Sequence, residues 1–570
     1  MKKTLALLLA MALSCSMAFT GCGSSQPAEG ETTAPAETES ESQGEASEPA
    51  AESTSSEGGK TFTWNLAADP KTIDPTLNSA SDGGKVIMNS FEGLLRDKFD
   101  GNGLQPAMAE AIPEAVENAD GTVTYTFKLR DAKWSDGQPV RAQDFVFSWQ
   151  RAVDPATAAE YAYILSPILN ADQITAGEKD KSELGVKAVD DKTLEVTLKQ
   201  PCGYFFELLN FATFMPLRED IVGTDTEGLW AKDPAKAVSN GPFTLKEYKM
   251  GDSFTYVKNE NYWDAENVHI DTMVIKMIVD QSTYLTAYRN GELDFIDAPP
   301  AEEVQQLLAS GECQLYPLLG NYFYAINAQT TNPALQNQKV RQALSMAIDR
   351  KALVENVTRS GEIPALGIVP SGIQTADGQD FREAAGSYYY GETADIEGAK
   401  ALLAEAGYPD GAGVGPVEII YNTMDTHKAI AEAIQEMWKA IGVEATLSNQ
   451  EWAVFQDTRT NLKYDGVVRH GWNGDYADPM TFLDMFVSGN PQSGCGYASE
   501  AYDQAIAKAA STTGEEHYAA FMEAEKQLVE DAYIIPLYFQ QQKVMASEKL
   551  TNWGCGAVGK YWFGNADIAE

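Results

Sequence analysis

Few residues in this chain carry the spacing of a catalytic or metal site. His269, His427, His470 and His517 include no H-E-x-x-H or related pair, and no G-x-S-x-G elbow occurs. Paired acids remain open as general acid and base, because 83 residues are Asp or Glu. Beyond Cys15 and Cys22, Cys202, Cys313, Cys495 and Cys555 lie far apart and none sits at metal-ligand spacing. Disulfides and buried free thiols are both compatible with them. Gly58-Gly59-Lys60-Thr61 matches the end of a phosphate-binding loop, but the first glycine is missing and a strand pattern follows. We reject it. The densest group of polar and aromatic residues is His427, Trp452, Arg459, Arg469, Gly471, Trp472 and Asp475. By spacing alone Asp475 reads as an Asx turn or a helix cap ahead of Pro479, the arginines as surface, and the tryptophans as core. No catalytic residue, metal site or cofactor is predicted.

The elements that must hold these residues are mixed. Residues 122–130 alternate Val123, Tyr125, Phe127 and Leu129 with polar neighbours, the period of a half-buried strand, and 193–198 do the same. Val340, Leu344, Ala347 and Ile348 share a helix face, as do Ile430, Ile434, Met437 and Ile441, with Gly442 closing the second helix. Strands and helices intersperse, which predicts an α/β protein. A length of 570 residues demands several lobes rather than one core.

A net charge of −41 argues against nucleic acid, whose phosphates would be repelled. Lys2 and Lys3 precede an apolar run, Leu5 to Leu13, too short to span a bilayer, so residues 1–21 read as an export signal. Phe19-Thr-Gly-Cys22 resembles the lipobox of bacterial lipoproteins, with Phe19 in place of the usual leucine. Acylated Cys22 would anchor the chain to the outer face of the cytoplasmic membrane, each buried methylene contributing about 0.8 kcal/mol. Residues 23–59 hold no Lys, Arg or aromatic residue and read as an extended acidic tether.

Several stretches resemble one family, the oligopeptide-binding proteins of ABC importers (solute-binding protein family 5). They include Ser90-Phe-Glu-Gly-Leu-Leu95, Asp131-Ala-Lys-Trp-Ser-Asp-Gly137 and Val140-Arg-Ala-Gln-Asp-Phe-Val-Phe-Ser-Trp-Gln-Arg151. Further on come Ser239-Asn-Gly-Pro-Phe-Thr-Leu245, Tyr288-Arg-Asn-Gly-Glu-Leu-Asp294, Lys339-Val-Arg-Gln-Ala-Leu344, Asn449-Gln-Glu-Trp452 and Gly471-Trp-Asn-Gly-Asp-Tyr476. In order they span residues 60–545. The resemblance implies a three-domain periplasmic-binding-protein-like fold. Residues 60–88, 240–320 and 542–570 would form lobe I, 89–239 an inserted domain II, and 321–541 lobe III, with a hinge where strands cross near 320 and 541.

It also implies a ligand, a short peptide, and partners, the permease and ATPase subunits of the importer, served by a monomer. Capture of a peptide regardless of side chain needs main-chain pairing and neutralisation of both charged ends. Asp475 matches the aspartate that meets the peptide ammonium. Arg469, Arg459 and His427 match positions that reach the ligand carboxylate. Trp452 and Trp472 would wall side-chain pockets, Gly471 would let the ligand backbone approach, and Ser79, Ala80 and Ser81 align to a strand that pairs with it. Tyr161 is expected to line the cleft. The family also uses a lysine after Pro370, and Ile373-Gln-Thr-Ala-Asp-Gly378 offers none.

Two other classes compete. A nickel complex, oligosaccharide or haem in the same fold would not need a carboxylate for an ammonium, and a secreted hydrolase would turn over peptide. The lipid anchor has its own test: Cys22→Ser should move the protein from the membrane fraction to the medium, and retention of the variant on membranes would refute acylation.

Overall fold

The computed structural model describes residues 59–98 and 103–569. Cys22, the export signal and nearly all of the acidic tether lie outside the described residues. Alternation does what it predicts: the strand Val123–Lys128 buries Val123, Tyr125 and Phe127 and turns Thr126 and Lys128 outward. It pairs antiparallel with Thr193–Leu198, from Val123 opposite Leu198 to Lys128 opposite Thr193. Strands Val116–Glu117 and Val186–Asp190 complete this sheet of four. Helix Ala142–Val153 buries Phe145, Trp149 and Ala152 in the same core. Each such aromatic side chain stabilises the fold by about 1.5–3 kcal/mol. The helix begins where Asp144 accepts a hydrogen bond from the Arg141 N–H at 2.9 Å.

The larger sheet has 11 strands. One end comprises Phe243–Lys249, Ser253–Lys258, Thr272–Lys276, Thr61–Asn65 and Phe295–Ile296; the other comprises Val467–Asn473, Val417–Asn422 and Ala445–Gln450. Two long antiparallel strands, Gln314–Ile326 and Ile534–Ala546, lie between the two ends. Thr61–Asn65 follows Lys60 directly as a strand, so the glycine-lysine sequence there is no phosphate loop.

The long pair is interrupted in its middle, and its register shifts again between Tyr322, opposite Tyr538, and Phe323, opposite Pro536. Gln314 to Pro317 pair with Val544 to Gln541, and pairing resumes only at Asn321 opposite Phe539. On one side of this break Met545 and Ala546 pair with Phe295–Ile296; on the other, Gly320 to Ile326 pair with Val467–Asn473. Separate hydrophobic cores lie under the two ends, one built around Phe62, Trp64 and Phe295, the others around Phe323, Phe486 and Trp438. Among the described residues no helix is long and apolar enough to cross a membrane. Cys202, Cys313, Cys495 and Cys555 are all free, the first three buried, so of the two readings left open by sequence the thiol form is found.

A buried ion pair fastens the segment after the first strand to the inserted helix. Arg151 donates to both oxygens of Asp74 at 2.9 Å, and the Trp230 indole N–H donates to the same carboxylate at 2.8 Å. Asp74 is fully buried and Arg151 is 5% exposed. Removing one partner strands a charge away from water, which costs about 3–5 kcal/mol, whereas an exposed pair contributes about 1 kcal/mol or less. Urea unfolding should therefore show Asp74→Asn destabilised by several kcal/mol, and Asp172→Asn, which breaks the exposed Lys199 pair, barely changed. Equal effects would contradict this account of the fold.

Candidate ligand-binding cleft

Gly471 to Asn473, the end of one sheet strand, and Gly474 and Asp475 beyond it form one wall of a cavity of about 740 Å³. Asn78 to Ser81 and the Lys85–Asp297 ion pair form the opposite wall. Gln541, Gln542 and Val558 to Tyr561 also line it, beside the interruption in the long strand pair. Tyr161 and Phe211 also line it.

Asp475 has no basic side chain within ion-pairing distance among the described residues. Its two carboxylate oxygens accept from the Tyr161 hydroxyl at 3.1 Å and the Tyr163 hydroxyl at 3.2 Å. Burial raises its carboxyl above the usual range, while these two hydrogen bonds, and more weakly the Lys560 charge, work in the opposite direction. The Asx turn that spacing alone suggests for Asp475 is made instead by Asp478, whose carboxylate accepts from the Met480 N–H at 2.9 Å; Pro479 is the cap residue of helix Met480–Leu483. Asp478 also meets the buried His517 at 2.8 Å.

Of the other predicted residues, Trp472, Gly471, Ala80, Ser81 and Tyr161 line the cavity, and Arg469, Arg459, His427 and Trp452 do not. Trp452 is 52% exposed and stacks on Phe455, so it walls no pocket here. Ser81 opens helix Ser81–Ser90, which leaves Ala80 extended as its cap and no strand at 79–81. The tight packing of Gly83 favours this turn, for a Cβ there would lie 2.1 Å from the Asn78 side chain. Gly471 has a structural reason independent of any ligand: a Cβ would come within 2.8 Å of the Asn321 carbonyl on the neighbouring strand.

The basic residues form a second group: Arg469 on the same strand, Arg459 on helix Trp452–Thr460 and His427 on helix Asp425–Lys439. The Arg469 guanidinium lies 5.0 Å from the centre of the Tyr322 ring, and the Tyr322 hydroxyl and His427 Nδ1 share a hydrogen bond at 3.1 Å. Burial and the Arg469 charge lower His427 to about 4, so it is neutral at pH 7 and not the cation that the sequence suggests. Burial and the same charge lower Arg459 to about 10. Neither arginine has a carboxylate partner among the described residues, and Arg469 Nε is buried without a hydrogen bond. Sequence reasoning missed Tyr163, Lys560, Asn210 and Glu207. Only the Tyr161-x-Tyr163 spacing, two neighbours on one turn, offered a signal.

The model of bacterial extracellular solute-binding proteins, family 5 (middle), matches residues 103–494. This chain belongs to that family. The oligopeptide-binding protein OppA of Bacillus subtilis is 33% identical over 524 residues, covering 90% of this chain and 93% of the relative. Among solved structures, MppA, a periplasmic murein tripeptide-binding protein, in its unliganded open form aligns with a TM-score of 0.76 at 31% identity, over 90% of this chain and 97% of MppA. Listeria monocytogenes OppA bound to peptide aligns at 0.68 with 30% identity, over 90% and 100% of the two chains. The mixed α/β architecture of several domains is thus the one this family uses.

His470, between Arg469 and Gly471 on the wall strand, is held neutral by geometry. Nδ1 accepts from the Gly471 N–H at 2.7 Å and Nε2 donates to the Gln492 carbonyl at 2.8 Å. Burial, with the Arg459 charge, lowers it from 6.5 to about 3. The unfolded chain therefore takes up this proton first as pH falls. The stability that neutral His470 contributes is complete above pH 6.5 and declines below it by about 1.4 kcal/mol per pH unit. The difference in unfolding free energy between wild type and His470→Gln should shrink from pH 7 to pH 4; a constant difference would exclude a depressed pKa.

Proposed function

We propose that this protein is the extracytoplasmic, Cys22-anchored binding component of an ABC importer, that it captures short peptides as a monomer, and that it passes them to a membrane permease without chemical change. The observation that carries the reading is Asp475: a carboxylate facing a large cleft with two hydroxyl donors and no cation. A peptide ammonium fills that vacancy with a charge-assisted contact. Relatives named for oligopeptide and dipeptide binding support the ligand class.

In this binding mode Asp475 takes the ammonium and Tyr161 shares it. Arg469 and Arg459, which repel each other and lack a counter-ion, take the ligand carboxylate, with neutral His427 as a hydrogen-bonding neighbour. Trp472 gives a flat side-chain wall and Ala80 offers extended main chain for pairing. The hinge lies at the interruption between Pro317 and Asn321, where bending breaks no ladder hydrogen bond. A ligand touching both walls stabilises the closed arrangement. The higher similarity to an unliganded open structure than to a peptide-bound one fits an open resting state.

Calorimetry of the purified protein with tri- to hexapeptides, free and N-acetylated, tests this. Free peptides should bind and acetylated ones should not. Asp475→Ala should weaken binding by about a hundredfold or more, the effect of leaving a buried ammonium unpaired. Unchanged affinity in the variant would refute the ammonium site. Failure of every peptide to bind would shift the ligand to another solute of the same family.

A further inference from the structure

A second recess of about 60 Å³ adjoins the main cleft and shares Val558 and Lys560 with it. Tyr476 and Ala477, the two residues after Asp475, form part of its wall. Its polar side chains are two carboxyls, Asp97 and Glu207, one cation, Lys560, and the neutral Asn210, Gln374 and Tyr476, so acid outnumbers base. Asp97 and Glu207 point no carboxylate at any donor among the described residues, and neither enters an ion pair. Asn210, 3% exposed, also lines the recess, and its side-chain oxygen is buried without a hydrogen bond. The one cation nearby, Lys560, donates to the Asn210 main-chain carbonyl at 2.9 Å and stands between recess and cleft.

Native interiors rarely leave a buried amide oxygen unpaired, and two carboxyls beside it deepen the deficit of donors. The group that corrects this must be cationic and bring several N–H donors. The space admits roughly four water-sized groups, about the size of a guanidinium. We propose that this recess is the pocket for a basic side chain of the bound peptide, arginine in first place, and that Glu207 sets the preference. The inference rests on the peptide reading above and adds the class of side chain that the cleft selects. Burial, reinforced by the charges of Asp97 and Asp478, raises Glu207 to about 8, so the empty recess holds a neutral acid at pH 7. An arriving cation draws that carboxyl back to its ionised form and releases a proton.

The test is calorimetry of the intact protein at pH 7, in two buffers of different ionisation heat. The ligands are trialanine, Arg-Ala-Ala, Ala-Arg-Ala and the same pair with norleucine for arginine. Arginine in one of the two positions should bind about tenfold tighter than norleucine, with proton release that the norleucine peptide lacks. The arginine advantage should grow as pH rises towards 8. Glu207→Gln should abolish both the advantage and the proton release and leave trialanine affinity unchanged. Equal affinity of arginine and norleucine peptides in wild type would show a water-filled recess and overturn the proposal. So would an arginine preference that survives Glu207→Gln. If the variant does not fold, the wild-type comparison and its proton release decide alone. If trialanine itself fails to bind, the peptide reading falls; if only the arginine preference is missing, that reading stands and the pocket does not.

Discussion

Keeping a carboxylate inside a cleft with no cation beside it is unfavourable, and much of the structure around Asp475 exists to sustain that condition. A charge withdrawn from water either finds partners or takes up a proton. Here the partners are two phenols, Tyr161 and Tyr163, which donate hydrogen bonds without cancelling the charge. Lys560 lies close enough to act through space but makes its hydrogen bond to the Asn210 carbonyl instead. A salt bridge at this place would stabilise the empty protein and compete with any ammonium that arrived. Asp478, three residues on, makes the Asx turn that leads into the next helix, and Asp475 takes no part in it.

The same economy governs the backbone. The wall that bears Asp475 continues from a strand whose register against Gln314–Ile326 is fixed from Gly320 to Ile326. That wall is therefore tied to the sheet, while the interruption of the long pair, at 318–320, overlaps the stretch only at Gly320. Hydrophobic burial under each end keeps the walls intact, since the aromatic cores centred on Trp64 and on Phe323 are distinct clusters.

How much of this could be read from sequence depended on whether the signal was local. Strand Thr193–Leu198 and helix Asp425–Lys439 emerge where apolar spacing places them, because alternation and helical period are properties of adjacent residues. Ser81 was read as strand and is helical: Gly83 and Gly84 are poor helix formers, and only packing against Asn78 makes that turn favourable. Asp475 and Asp478 are both aspartates before a short helix, and nothing local says which one forms the Asx turn; the structure gives it to Asp478. His427 was expected as a cation, but burial and the charge of Arg469, 42 positions away, keep it neutral. Glu207, Asn210 and Lys560 meet only through the tertiary fold, so no spacing could have joined them.

The arrangement also bounds the ligand. Arg469 and Asn473 delimit one strand segment, and Asp475 follows two residues beyond. At about 3.3 Å per residue the stretch from Arg469 to Asn473 covers about 13 Å, the length of about four extended ligand residues. In the proposed mode a peptide lying alongside the strand with its carboxylate near Arg469 extends past that stretch to place its ammonium at Asp475. Arg459 lies on helix Trp452–Thr460 rather than on the strand, so its guanidinium can meet a carboxylate displaced from the Arg469 position. Two cations that repel each other and share no counter-ion form a broad positive end, in contrast to the single carboxylate at the other. In the proposed mode that asymmetry sets the direction of the ligand through Asp475 and leaves its length variable at the arginine end.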